Sequence, residues 1–126
     1  MANNPVAWFE IYVDDMPRAQ AFYESVFRVR LEKLAAPDAS EMEMMAFPMH
    51  MDGPGAAGAL VRMAGFSPGG SGTLVYFSCE DCAAEASRVT PSGGRVHQEK
   101  MAIGEYGFAA LAYDTEGNMI GLHSNK

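Results

Sequence analysis

The feature that most constrains this chain is that its second half repeats the order of its first. IYVDDMPRAQA at positions 11–21 matches FSCEDCAAEAS at 77–87 in pattern, with Asp15 opposite Asp81. In each copy a short apolar run leads into an aspartate placed to accept the orphan amide donors of a helix's first turn. Pro17 falls within that first turn, where a missing N–H costs nothing. Two copies are too few for a solenoid. The pattern therefore predicts an α+β fold: two βαβββ modules forming a curved mixed sheet around a central pocket, with the helices outside.

The chain in order supports this. Ala7 to Val13 alternates and is rich in aromatic and β-branched residues, so it reads as a strand. A helix follows to about Phe27, with Ala19, Phe22, Tyr23 and Val26 as its apolar stripe. Val29 to Leu34, Met42 to Met51 and Ala57 to Met63 read as strands, separated by turns at 37–40 and at Gly53-Pro54-Gly55. The sequence GFSPGGSG at 65–72 is the one linker-like segment, dividing a single domain into modules at 5–64 and 73–126. Thr73 to Cys79 is the next strand, Cys82 to Val89 a helix, and Arg95 to Lys100 another strand. Phe108 to Tyr113 and Met119 to His123 close the chain as a hairpin around Asp114-Thr115-Glu116-Gly117-Asn118, residues suited to a tight loop.

Bulk properties narrow the partners. The 126 residues carry a net charge of −7 with no run of Lys or Arg, which argues against nucleic acid or an anionic membrane. No apolar run approaches the roughly eighteen residues of a membrane span, and the N-terminal MANNPVAW lacks a signal-peptide pattern. A cytoplasmic, soluble protein is expected. Cys79 and Cys82 form a lone C-x-x-C; with scattered histidines and no second pair, they read as reduced thiols acting as small hydrophobes.

From Lys100 the chain reads K-x-x-I-G-E-Y-G, and from Asp114 D-T-E-G-N-x-I-G-L. This closing hairpin resembles that of the vicinal oxygen chelate superfamily, which includes glyoxalase I, bleomycin-resistance proteins and extradiol dioxygenases. Within it, the chain resembles the predicted lactoylglutathione-lyase-related group. The resemblance extends over essentially the whole chain and implies the same paired-module fold, a small-molecule ligand and a homodimer. Arg28 departs from the glycine that usually follows F-Y-E-x-V-F in the family, which suggests a shifted helix end. Metal-dependent members hold a divalent ion with His or Gln at the starts of the first and fifth strands and Glu near the ends of the fourth and eighth. Carried over, these positions fall on Trp8, Leu74, a residue within Gly58-Ala59-Leu60-Val61, and Gly121. None offers a donor atom for a cation. The expectation is no metal and no cofactor.

Strand alternation names the pocket residues. Phe9, Ile11 and Val13 suit the face under the first helix, which turns Trp8, Glu10 and Tyr12 inward. Val75, Phe77 and Cys79 suit the face under the second helix, leaving Leu74, Tyr76 and Ser78 inward. Ile120 and Leu122 pack outward, so Gly121 and His123 point in. Glu10 is the candidate catalytic residue: a carboxylate between two aromatics loses hydration, which raises its pKa and suits a general base. The plainer alternative pairs it with an arginine such as Arg62 or leaves it at a wet pocket mouth. Trp8, Tyr12, Leu74, Tyr76, Tyr106, Gly121 and His123 are the candidate substrate-binding residues, with Lys100 flanking the hairpin beside Tyr106. His50 and His97 read as exposed. Met42, Met44, Met45, Met49, Met51 and Met63 read mostly as core fillers, a few of them able to wall an adaptable pocket.

Three functions fit these residues. The first is a metal-free protein that binds a small, largely apolar molecule, as bleomycin-resistance relatives do. The second is a lyase or isomerase related to glyoxalase, or a dioxygenase-like enzyme, with Glu10 moving a proton. The third is an accessory protein with a vestigial pocket.

Overall fold

The computed structural model describes residues 4–36, 41–50, 52–69 and 72–126; the expected turn at 37–40, Met51, Gly70 and Ser71 lie outside the described residues. The fold is α+β, and the chain divides into two compact units, residues 8–73 and residues 74–126 with the N-terminal segment. Among the described residues no helix is long and apolar enough to cross a membrane.

The first unit contains β1 (Val6–Tyr12, from Trp8 onward), α1 (Met16–Phe27), β2 (Glu32–Leu34), β3 (Glu43–Ala46) and β4 (Ala57–Arg62). Its strands lie in the order β2-β3-β4-β1. β1 and β4 run parallel, with Glu10 beside Ala59 and Tyr12 beside Val61, while the other pairs are antiparallel. α1 starts where the sequence places it: the Asp15 carboxylate accepts the Arg18 amide at 3.1 Å. Val13, Met16, Leu31 and Leu60 form the buried core, with Ile11, Ala19, Tyr23, Met45 and Phe47 packed against it.

The expected helix stripe needs correcting. Ala19 and Tyr23 do face the core, but Phe22 and Val26 are 58% and 54% exposed. The face is set by Met16, which is buried and which the stripe omitted. Successive residues turn by about 100°, so Phe22 falls about a quarter turn from the centre of a face on Met16, Ala19 and Tyr23, whereas Val26 stays close to that face and is exposed in the last turn of the helix.

The end of α1 explains why β2 is shorter than expected. Arg28 takes the left-handed conformation (φ 53°, ψ 49°), and the Val29 amide returns to the Glu24 carbonyl at 3.3 Å. This is the six-to-one bond of a Schellman cap, where glycine is the usual residue. The helix thus ends at Phe27 as the sequence indicates, and Arg28 absorbs the strain in place of a shifted end. The Glu24 side chain then accepts the Leu31 amide at 2.8 Å and the Gln20 amide group at 3.1 Å. With Val29 and Leu31 bonded back to the helix, the strand begins only at Glu32. β3 is likewise shorter than Met42 to Met51, ending at Ala46 just before Pro48, which has no amide to give a ladder.

The second unit contains β5 (Thr73–Ser78, from Leu74 onward), α2 (Cys82–Ser87), β6 (Arg95–Ala102), a short 3₁₀ turn (Gly104–Tyr106), β7 (Phe108–Tyr113) and β8 (Met119–Ser124). The order β5-β8-β7-β6 is that of the first unit, and β5 again pairs parallel with β8. Asp81 caps α2 by accepting the Ala83 amide at 3.0 Å, as Asp15 caps α1. Cys82, Ala86, Ala110 and Leu122 are buried between helix and sheet, with Phe77, Cys79, Phe108 and Ile120 around them. α2 stops at Ser87, two residues short of the expected Val89. In the closing hairpin one Asp114 oxygen accepts the amides of Glu116 and Asn118 at 2.8 and 2.9 Å, and the other accepts the Asn118 side chain at 3.0 Å.

Three measurements check this account. Gly117 has φ 83°, so Gly117→Ala is expected to cost about 1 kcal/mol in denaturant titration. Arg28→Gly is expected to stabilise by about 0.5–1 kcal/mol, because the left-handed strain exceeds the extra freedom of an unfolded glycine. Asp114 is held below the usual carboxylate range, first by the Asn118 side chain and then by the loop amides. A folded-state pKa below the unfolded one gives stability that is present above about pH 4 and lost as pH falls through the folded value. Asp114→Ala is therefore expected to be less stable than the parent at pH 7, with the gap narrowing in acid.

Candidate functional site

β1 carries the most concentrated chemistry. Ile11 and Val13 belong to the core under α1, so alternation turns Trp8, Glu10 and Tyr12 to the opposite face. There the Trp8 indole N–H donates to one Glu10 carboxylate oxygen at 3.1 Å, and the Tyr12 hydroxyl donates to the other at 2.5 Å. Glu10 is only 6% exposed and Tyr12 only 3%. A buried carboxylate needs such donors, because losing water without replacement costs several kcal/mol. Met44, Ala46, Ala59 and Val61 are buried nearby in register, making the surroundings apolar. Arg62, the arginine suggested as a partner for Glu10, instead pairs with Glu43 at 3.1 Å on an exposed edge. Such surface pairs contribute little.

Sequence reasoning missed Phe66. Its ring stacks on Tyr12 with centroids 4.8 Å apart. The signal was available, since Phe66 is the lone aromatic of the Gly- and Ser-rich linker. Phe66 also lines a cavity of about 410 Å³ together with Asp14, Arg62, Met63 and Ser67. Tyr12 therefore stands between the Glu10 carboxylate and a wall of that cavity.

In the second unit Phe77 and Cys79 face α2, which leaves Leu74, Tyr76 and Ser78 on the other face. Leu74 is buried, and the Tyr76 ring lies directly over Gly121, where a Cβ would run into it. His123 is half-buried, and its Nε2–H donates to the Tyr106 carbonyl at 2.6 Å. With the proton on Nε2, the lone pair of the neutral ring lies on Nδ1. Burial, aided by Glu105, raises the Tyr106 phenol above its ordinary value. Lys100 is held by Asp81 at 2.8 Å and lies 4.6 Å from the Phe108 ring centre. Its ammonium shares the Asp81 oxygen that accepts the Ala83 amide.

The residues present do not fit a divalent ion. At the positions the resemblance assigns to ligands stand the Trp8 indole, whose N–H donates to Glu10, the Leu74 side chain, and Gly121 beneath Tyr76. Residues 58–61 supply Gly, Ala, Leu and Val. None has a lone pair to give a cation. Among the described residues no three His, Cys, Asp or Glu side chains stand together to hold a metal ion, Cys79 and Cys82 included. Burial pushes the Cys79 thiol up to about 11, with Glu85 and Cys82 adding to it, so little thiolate exists at neutral pH. Cys82 is fully buried.

Solved structures share this fold at low sequence identity. The methylmalonyl-CoA epimerase of Mycobacterium tuberculosis superposes with a TM-score of 0.67 at 16% identity, covering 97% of this chain and 88% of its own. A variant of the Streptomyces coelicolor methylmalonyl-CoA epimerase, in complex with 2-nitronate-propionyl-CoA, gives 0.69 at 14% identity, covering 98% and 95%. A hypothetical protein from Bacillus halodurans gives 0.72 at 14% identity, covering 100% and 96%. No curated protein matches the chain. The family model of the Glyoxalase/Bleomycin resistance protein/Dioxygenase superfamily matches residues 6–122, and the chain belongs to that family.

Proposed function

We propose that this protein binds a small, largely apolar molecule without a metal ion, with Glu10 as the fixed acceptor for a hydrogen-bond donor on the ligand. The observation that carries the reading is the buried Glu10 carboxylate, held from both sides by Trp8 and Tyr12. Each carboxylate oxygen can accept more than one hydrogen bond, and these two contacts fix where the Glu10 oxygens stand. Trp8 and Tyr12 offer ring surface beside it. On the second unit the same reading assigns ligand contacts to Leu74, Tyr76, Tyr106, Gly121 and His123.

A second reading, an isomerase-type or lyase-type enzyme, is favoured by the likeness to the epimerase structures. Glu10 would then take a proton from the substrate. The protein is further proposed to be a homodimer, because twofold pairing is the commonest way a small domain covers apolar surface. Phe22, Val26 and Phe27 give α1 such a surface.

Ligands found by a thermal-shift screen separate the readings, since a molecule that binds only the folded state raises Tm. Glu10→Gln is expected to keep the fold and weaken such a ligand by about 1–3 kcal/mol. A loss of turnover by roughly a hundred-fold or more would establish the enzyme instead. Unchanged affinity and no turnover in either form would remove Glu10 from the site. Elemental analysis of the purified protein is expected to find no stoichiometric zinc, nickel, manganese or iron; one equivalent per chain would overturn the metal-free reading. Light scattering that gives a monomer mass at micromolar concentration would remove the dimer.

A further inference from the structure

The first unit has a second cavity, of about 340 Å³, at the edge formed by β2 and the end of β3. That volume lies within the range of small-molecule pockets. Leu34, Phe47, Pro48 and Met49 give it apolar walls, while Arg30 and Lys33 bring cations to its lining and Glu32 a single carboxylate. The Phe47 wall is fixed from behind, its ring standing 5.7 Å from both Phe9 and Tyr23. Met49 at the other side is 38% exposed and can repack around a guest.

The charge there runs against the rest of the molecule. The chain has nine Lys and Arg residues and a net charge of −7, yet Arg28, Arg30 and Lys33 fall together between positions 28 and 33. Among the described residues Arg30 and Lys33 make no ion pair, whereas Arg62 and Lys100 do. The Arg30 charge is felt by Glu24, but that carboxylate is already bonded to the Leu31 amide and Gln20. By contrast, the cavity beside Phe66 includes Asp14 and Glu41, and its arginine is paired with Glu43.

We propose that the β2–β3 cavity binds a molecule joining an apolar chain to a terminal carboxylate, the chain against Phe47 and Met49 and the carboxylate at Arg30 and Lys33. Two cations not bound to an acid can give charge-assisted hydrogen bonds to an anion, and the apolar walls supply the rest. The proposal is independent of the Glu10 reading.

Octanoate is the probe, followed by amide NMR on the full chain, with acetate and octylamine as comparisons. Saturable shifts confined to residues 30–34, Ala46, Phe47 and Met49 are expected with octanoate and absent with acetate and octylamine. The variant carrying Arg30→Gln and Lys33→Gln, both exposed positions, is expected to keep its spectrum and bind octanoate roughly ten-fold or more weakly. Glu10→Gln is expected to bind it as the parent does. The proposal is overturned if octylamine binds equally well or if the double variant keeps its affinity. Shifts centred on Trp8 and Tyr12 that vanish in Glu10→Gln would also overturn it, by placing octanoate at the other site.

Discussion

The parallel pairing of first strand with fourth, made once in each unit, is the constraint on which the rest depends. Parallel neighbours cannot be joined by a tight turn, so the chain must cross over before the second of them is laid down. In both units that crossing holds a helix and two more strands. The pairing also brings an aromatic ring against a glycine on the neighbouring strand. Phe9 lies beside Gly58 and Tyr76 beside Gly121, and in each case a Cβ on the glycine would enter the ring. The two rings lie on different faces: Phe9 on the face toward α1, Tyr76 on the face away from α2. The frame repeats while its filling does not.

That difference matters for chemistry. In the repeat, Trp8 corresponds to Leu74, Glu10 to Tyr76, Tyr12 to Ser78 and Val61 to His123. The acid and its two donors therefore occur in one unit and the imidazole in the other. The positions that the resemblance assigns to metal ligands hold an indole, a leucine, a glycine and a short aliphatic run. A family fold hosts many chemistries, so function has to be argued from such side chains.

Much of the local order comes from four carboxylates that accept backbone amides. Asp15 and Asp81 start the helices, Asp114 closes the hairpin loop, and Glu24 turns the chain out of α1. Each contact spans at most seven residues. This closeness is why the helix starts and the closing turn could be read from the sequence. Glu24 is the exception, because nothing in F-Y-E-x-V-F marks its glutamate as the acceptor for an amide in the following strand.

The sequence by itself determined what depends on neighbours along the chain. Period-two alternation put Trp8, Glu10 and Tyr12 on one face and Ile11 and Val13 on the other, since a strand leaves no other choice. The caps at Asp15 and Asp81 and the loop at Asp114 followed from short-range hydrogen bonding. Only the tertiary structure decided which side of α1 met the sheet. Phe22 and Met16 are both apolar and lie on neighbouring flanks of the helix, and the packing of Leu31 and Leu60 selects between them. It also decided that Lys100 meets Asp81, that Phe66 covers Tyr12, and that Arg62 pairs with Glu43. Those contacts join residues 19 or more positions apart, and strand alternation carries no information about which distant side chain arrives.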